Sequence, residues 1–260
     1  MIKVVTWNVN SLNVRLEHVI DWIKSNKPDI LCIQETKQTN EKFAHDAFSS
    51  IGYESYHNGQ KTYNGVAIIS NMPLQKVTHD LPNFSDPQKR IITGQYPSEK
   101  LGLVQVVSAY IPNGQSLDSD KFDYKMQWLD SFCEWSTNLL SNNNHVILTG
   151  DFNIAPSDKD CHNPDEWIGK VLVSPKERDY FNKIINNGFI DSFRNLNPDD
   201  QLYSWWDYRM AGYRRNLGMR IDHILSSNSL SKNLFKSYID EGPRKLERPS
   251  DHTPVITEFK

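Results

Sequence analysis

The sequence predicts a layered α/β domain, helices packed over buried sheets, on three observations. Short apolar, β-branched runs recur along the 260 residues. Several are apolar throughout rather than alternating, the pattern of strands covered on both faces. Amphipathic stretches of helical spacing lie between them. No Gly/Ser or Pro-rich linker, low-complexity tract or short-period repeat interrupts the chain, so one domain over residues 1–260 is expected.

In chain order, the strands fall at Ile2–Thr6, Ile30–Ile33, Val66–Ile69, Leu103–Ala109, Val146–Leu148, Ile221–Leu225 and Val255–Phe259. After the first, Val14–Ser25 turns Leu16, Val19, Ile20 and Ile23 to one helical face and stops at Asn26-Lys27-Pro28. Phe122–Leu140 places Met126, Leu129, Cys133 and Leu140 at helical spacing and ends in Ser141-Asn142-Asn143-Asn144. A third helix opens at Ser174-Pro175-Lys176-Glu177, with an N-cap serine, a proline at the first helical position and a glutamate at the third. It runs through Phe181, Ile184 and Ile185, and Gly188 stands where a C-terminal cap belongs.

Composition narrows the function classes. Lysine plus arginine number 29 and aspartate plus glutamate 32, a formal charge of -3. That excludes a polycation holding nucleic acid by bulk charge, although not a local basic face beside an acidic site. A mean hydropathy of -0.62 and no run of about 18 apolar residues speak against a membrane span. The opening Met1-Ile2-Lys3-Val4-Val5-Thr6-Trp7 reads as a strand and not a leader, so a cytoplasmic, bacterial-like protein is expected. Cys32, Cys133 and Cys161 are odd in number and far apart, which suits neither a disulfide framework nor a zinc site. They read as small hydrophobes in a reducing compartment.

The residues at the strand ends are more informative. Strands lead into Asn8-Val9-Asn10, Gln34-Glu35, Tyr110-Ile111-Pro112-Asn113 and Gly150-Asp151-Phe152-Asn153. Asp222-His223 lies within the Ile221–Leu225 run, and Ser250-Asp251-His252 precedes the last strand. Singly, each is an ordinary turn or loop residue. Together they supply complementary parts of phosphodiester hydrolysis, at the sheet edges where α/β domains gather their sites. Glu35, Asp251 and the Asn8 and Asn10 amides are hard oxygen donors suited to Mg²⁺ or Mn²⁺. Asp151 is placed to take a proton from an attacking water that Asn153 orients. Asp222 can fix the tautomer of His252 and raise its pKa, so that a cation faces the phosphate. The Tyr110 hydroxyl adds a charge-stabilising contact.

Five segments then carry a family resemblance: Trp7-Asn8-Val9-Asn10-Ser11-Leu12, Leu31-Cys32-Ile33-Gln34-Glu35-Thr36-Lys37, Gly150-Asp151-Phe152-Asn153-Ile154-Ala155-Pro156, Arg220-Ile221-Asp222-His223 and Pro249-Ser250-Asp251-His252-Thr253-Pro254-Val255. In this order they resemble the signatures of the exonuclease III family of AP endonucleases, over essentially the whole chain. The resemblance implies a DNase I-like four-layered α/β sandwich, two central mixed β-sheets flanked by helices. It also implies a Mg²⁺-dependent DNA repair hydrolase: incision 5′ to abasic sites, 3′-phosphodiesterase or 3′-phosphatase action, and 3′→5′ exonuclease on duplex ends. By the same resemblance Asn8 and Glu35 bind metal with Asp251 nearby, and Tyr110, Asp151, Asn153, Asp222 and His252 match catalytic positions. Asp151, Asn153 and His252 are also counted among the metal ligands.

From Tyr203 to His223 four arginines face Asp207 and Asp222, interleaved with aromatics, the composition of a surface that tracks phosphates and stacks bases. The resemblance makes Trp205 the aromatic wall of a pocket for a flipped abasic sugar, with Met219 opposite. It makes Asn113, Lys37 and Arg90 phosphate contacts, and Asn10, Lys170, Arg209 and His252 complete the DNA-facing set. Phosphate and shape contacts suffice, because base identity need not be read. By the same resemblance the loop Trp167–Ser174 borders this region, and it carries bulky Lys170-Val171-Leu172 where many relatives have small residues somewhere along the stretch. That bulk would hinder an internal abasic site in kinked duplex more than a frayed 3′ end, so 3′-end trimming is expected to rival or exceed incision. The expected partner is double-stranded DNA with abasic sites or blocked 3′ ends, bound by a monomer. Two rivals stand beside this reading: a phosphatase of the same superfold acting on a small phosphoester or lipid, and a catalytically inactive nucleic-acid-binding regulator. The retained Glu35 and Gly150-Asp151-Phe152-Asn153 oppose the second.

Overall fold

The computed structural model describes all residues, 1–260. The chain first forms β1 (Ile2–Asn8), α1 (Leu12–Asn26), β2 (Ile30–Gln34), α2 (His45–Ser49), β3 (Glu54–Asn58), β4 (Val66–Ser70), β5 (Gln75–His79), β6 (Ile91–Ser98) and β7 (Gly102–Tyr110). It continues with α3 (Asp120–Asn142), β8 (His145–Asp151), α4 (Pro164–Trp167), α5 (Pro175–Asn186), β9 (Phe189–Asp191) and α6 (Ser192–Leu196). It closes with β10 (Trp205–Trp206), β11 (Gly218–Met219), β12 (Asp222–Ser227), β13 (Leu234–Ile239) and β14 (Val255–Phe259). Two six-stranded sheets result, ordered β13-β14-β1-β2-β4-β3 and β5-β6-β7-β8-β12-β9. Both are mixed: β1 with β2 and β7 with β8 are parallel, and the other pairs antiparallel.

The expected four layers arise from the alternation of side chains. Val4, Cys32 and Ile68 of the first sheet meet Ile92, Val106 and Ile147 of the second in a shared core. Their chain neighbours point outward: Val5, Leu31 and Ile69 pack on Val19, Trp22 and Ile23 of α1. On the far side Val107, Ala109 and Leu148 pack on Trp128, Leu129 and Phe132 of α3 and on Phe181 and Ile184 of α5. Both faces of the central strands are therefore covered, so β2 and β4 read as unbroken apolar runs.

The three expected helices form. The α5 capping box is present, with the Ser174 hydroxyl accepting the Glu177 N–H at 3.3 Å and the Glu177 carboxylate accepting the Ser174 N–H at 3.0 Å. In α3 the buried face runs through Phe122, Lys125, Trp128, Leu129, Phe132 and Cys133, so a lysine lies on the apolar stripe. Strands β3, β5, β6, β9, β10, β11 and β13 have no counterpart among the apolar runs of the sequence. Of these β3, β5, β9 and β13 are sheet edges, where half-exposed strands carry polar residues and show no apolar run. Strand β6 is interior, yet Gly94 and Pro97 make it look like a turn. Gly94 leaves room for Leu74, whose Cδ1 would lie 2.9 Å from an added Cβ. The three cysteines are free and buried, and burial pushes the thiols of Cys32 and Cys133 up to about 12. No helix is long and apolar enough to cross a membrane.

Candidate active site

Both sheets bring polar strand ends to one edge. Parallel pairing of β1 with β2 sets Asn8 opposite Gln34 and so beside Glu35. In the second sheet Asp151 is in register with Tyr110 on one side and Asp222 on the other. The turn before β14 reaches the same edge, where the Ser250 hydroxyl donates to the Asn8 carbonyl at 2.7 Å. Gly150 precedes Asp151 at φ +146°, and an added Cβ would sit 1.8 Å from the Ala109 carbonyl oxygen. Only glycine lets β7 and β8 close at the residue before the central carboxylate.

The side chains interlock. The Asn8 amide bridges the sheets, donating to Glu35 Oε1 at 3.0 Å and to Asp151 Oδ2 at 2.9 Å. Tyr110 donates its hydroxyl to the same Glu35 oxygen at 2.9 Å. Asp251 accepts the Asn10 amide at 2.9 Å and the Trp205 indole N–H at 3.1 Å. His252 Nδ1 lies 2.9 Å from Asp222 Oδ2, and its Nε2 lies 3.7 Å from Asp151 Oδ2. The Asn153 N–H holds Asp151 Oδ1 at 2.9 Å. The Asn153 side chain accepts the Asn113 amide at 2.9 Å and donates to the Ile111 carbonyl at 3.0 Å.

Burial sets the protonation behaviour. For Asp151, burial disfavours the carboxylate and Asp222 adds to this, while His252 opposes it; the pKa rises to about 7. For His252, burial alone would lower the pKa, but the Asp222 and Asp151 carboxylates outweigh it and hold it up at about 10. Tyr110 is pushed well above the phenol range by burial and then by Glu35, so it stays a hydrogen-bond donor.

The donor set suits a hard divalent cation. Glu35, Asp251, Asp151 and the Asn8 and Asn10 amides offer oxygen only. The Lys37 ammonium already rests 2.9 Å from Glu35 Oε2 and 2.6 Å from Asn10 Oδ1, so positive charge is accommodated at this corner. Asp151, Asp222 and His252 bring ligand atoms within 4.8 Å of one another, and Asp222 Oδ1 is buried without a partner. His252 Nδ1 occupies only Asp222 Oδ2, and the carboxylates of Asp151, Glu35 and Asp251 line the same cleft as the oxygen donors open to a cation.

These groups floor a cleft of about 820 Å³ that contains Glu35, Tyr110, Asp151, Asn153, Asp251 and His252, with Trp205, Arg209, Lys170 and Asn113 on its walls. Other expected contacts are placed differently. Arg90 is nearly buried, bonded to Gln88 and the Tyr110 carbonyl and stacked 4.9 Å from the Tyr110 ring, and lines a neighbouring hollow with Tyr63 and Lys121. Met219 pairs with Trp205 across β10 and β11 and is fully buried; it backs the wall and does not face it. Arg220, counted in the sequence toward a basic surface, is interior and clamped by Asp160 and Asp191 at 2.7 Å each. Trp206 is likewise buried. Lys170 and Val171 stand with Trp167 on the cleft wall, and Leu172, which also lines the cleft, is otherwise packed into the core. Trp167 stands out in the sequence only as the first residue of its loop.

Known proteins share this architecture. Exodeoxyribonuclease III of Haemophilus influenzae is 34% identical, over 99% of this chain and 100% of its own length. The solved structure of the 3′ phosphatase NExo from Neisseria, bound to a product DNA hairpin, is 43% identical, with a TM-score of 0.97 over 100% of both chains. An AP endonuclease from Archaeoglobus fulgidus is 37% identical with a TM-score of 0.94, again over 100% of both chains. Residues 5–252, which hold every group described above, match the Endonuclease/Exonuclease/phosphatase family, and the chain belongs to it.

Proposed function

We propose that this chain is a Mg²⁺-dependent DNA repair hydrolase that incises 5′ to abasic sites, clears blocked 3′ ends and degrades duplex 3′ ends. The observation that carries the reading is the Asp222–His252–Asp151 line facing the Glu35/Asp251 oxygen corner across one cleft. Glu35 and Asp251, with Asn8 and Asp151 adjacent, would hold a Mg²⁺, which would supply polarisation of the phosphoryl oxygen and neutralisation of charge on the leaving group. The chain does the rest. Asp151, titrating near neutrality, takes the proton of the attacking water. His252, kept cationic by Asp222, and the Tyr110 hydroxyl stabilise charge building on the phosphate. Asn153 fixes Asp151 through its N–H and, paired with Asn113, presents amides beside the reacting oxygen. Trp205, Arg209, Lys170, Asn113 and Asn10 contact the DNA, while Arg90 acts by seating Tyr110. One chain holds every group, so a monomer suffices. The free cysteines fit a cytoplasmic setting.

Two labelled duplexes, one with an internal abasic-site analogue and one with a nick bearing a 3′-phosphate, test the reading. Both are to be cleaved in Mg²⁺ and neither in EDTA. Cleavage of neither, with hydrolysis of an inositol phosphate instead, would favour the small-substrate phosphatase. The same duplexes test substrate bias. Because Lys170 and Val171 crowd the cleft with Trp167, 3′-phosphate removal is expected to equal or exceed incision. Lys170→Gly and Val171→Gly should each raise incision severalfold relative to 3′-phosphate removal. An unchanged ratio would reject the steric argument.

A further inference from the structure

Besides the Arg220–Asp160 clamp, the chain completely buries a second charged pair: Lys125 of α3 and Glu177 in the first turn of α5. Every polar position on the pair is occupied. The Lys125 ammonium donates to the Asn113 carbonyl at 3.2 Å, to the Asn153 carbonyl at 2.7 Å and to Glu177 Oε1. That same oxygen accepts the Leu172 N–H at 2.9 Å. Glu177 Oε2 accepts the Ser174 N–H at 3.0 Å and the Ser174 hydroxyl at 2.6 Å. Stability is a weak reason to keep such a pair, since apolar residues of the same volume often serve as well.

The segments that the pair joins give a better reason. Asn153 sits at φ +50°, a left-handed turn that asparagine tolerates, and Leu172 at φ +76°, a left-handed conformation that its side chain does not adopt readily. The first bend carries the N–H that holds Asp151. The second is the foot of the Lys170–Val171 wall, and its carbonyl accepts the Ala155 N–H at 2.7 Å. Between them Gly114 is bracketed by Lys125 Cδ and Val171 Cγ1, which an added Cβ would meet at 3.2 and 3.6 Å.

We infer that Lys125 and Glu177 form a positioning pair that locks the Asn153 turn and the Lys170–Leu172 wall together, setting the aim of Asp151 and the width of the cleft at once. This rests on the hydrolase reading. Neither residue touches the reacting atoms; each acts through the backbone it holds.

Glu177→Asp keeps the charge pair but withdraws the carboxylate by one methylene, so it no longer spans Lys125 and Leu172. It is expected to fold, to lose about tenfold or more in kcat with KM within about twofold, and to change the ratio of incision to 3′-phosphate removal. The double variant Lys125→Met/Glu177→Gln removes both charges at nearly constant volume. It should regain thermal stability over Lys125→Met alone while kcat stays low. A merely structural role makes the opposite forecast, that kcat returns with the thermal midpoint. Parent-like kcat and an unchanged ratio in folded Glu177→Asp, or recovery of kcat in the double variant, would overturn the inference. The parent is assayed alongside: an inactive parent is a failure of the hydrolase reading, whereas an active parent with unaffected variants is a failure of the pair's role alone.

Discussion

Asp151→Asn is expected to lower kcat roughly a thousandfold or more on both the abasic-site and the 3′-phosphate duplex, with the fold intact. Asparagine preserves the shape and the bond to the Asn153 N–H, yet it cannot take a proton from water. It also removes the negative charge that faces the His252 ring. Both activities should fall together, because one carboxylate serves both. In the parent, Asp151 titrates at about 7, so activity should rise as pH increases through neutrality. Steady-state rates on the two duplexes, with circular dichroism to verify folding, check this. Loss of one activity with the other intact would mean two centres.

Asp222→Asn carries the second large effect. Asp222 is the largest contributor to keeping His252 protonated against the pull of burial. In the parent the cation persists to about pH 10, so the alkaline limb of the rate profile belongs near there. With asparagine the largest opposition to burial is gone and only Asp151 and Asp251 still favour the cation, so the His252 pKa falls and the alkaline limb moves to lower pH. Activity at pH 8 should fall about 10²–10³-fold, and by less at pH 6. Stability gives an independent check. The folded pKa of His252 lies above its unfolded value near 6.5, so its contribution is complete below about 6.5 and lost as pH rises toward 10. The difference in melting temperature between parent and Asp222→Asn should therefore be widest near pH 6 and shrink toward pH 10. A gap that stays constant with pH would reject Asp222 as the source of the shift.

The legible part of the site was the part written at strand ends. Asn8, Glu35, Tyr110, Asp151 and Asp222 each close, follow or open a buried strand, so short apolar runs announce them and the two sheets bring them to one edge. Asp251 and His252 lie just before β14 and are legible in the same way. Residues whose role depends on distant partners were not legible. Lys125 reads as a solvated position on an amphipathic helix, because its acceptors lie at Asn113, Asn153 and Glu177. Arg220 reads as surface charge until Asp160 and Asp191, 60 and 29 residues away, close around it. Met219 was expected opposite Trp205, but the two-residue pairing of β10 with β11 sets it beside Trp205 and buries it, so only Trp205 meets the cleft. The edge strands β3, β5, β9 and β13 stayed hidden for a related reason: half-exposed strands need no apolar run.

The most direct measurement is single-turnover cleavage of the two duplexes by parent and Asp151→Asn, prepared identically, in Mg²⁺ and in EDTA. The parent is expected to cleave both in Mg²⁺ only, and the variant to cleave neither at a comparable rate. Cleavage that survives EDTA, or that Asp151→Asn retains at the parent's rate, would contradict a single metal-dependent centre built around Asp151.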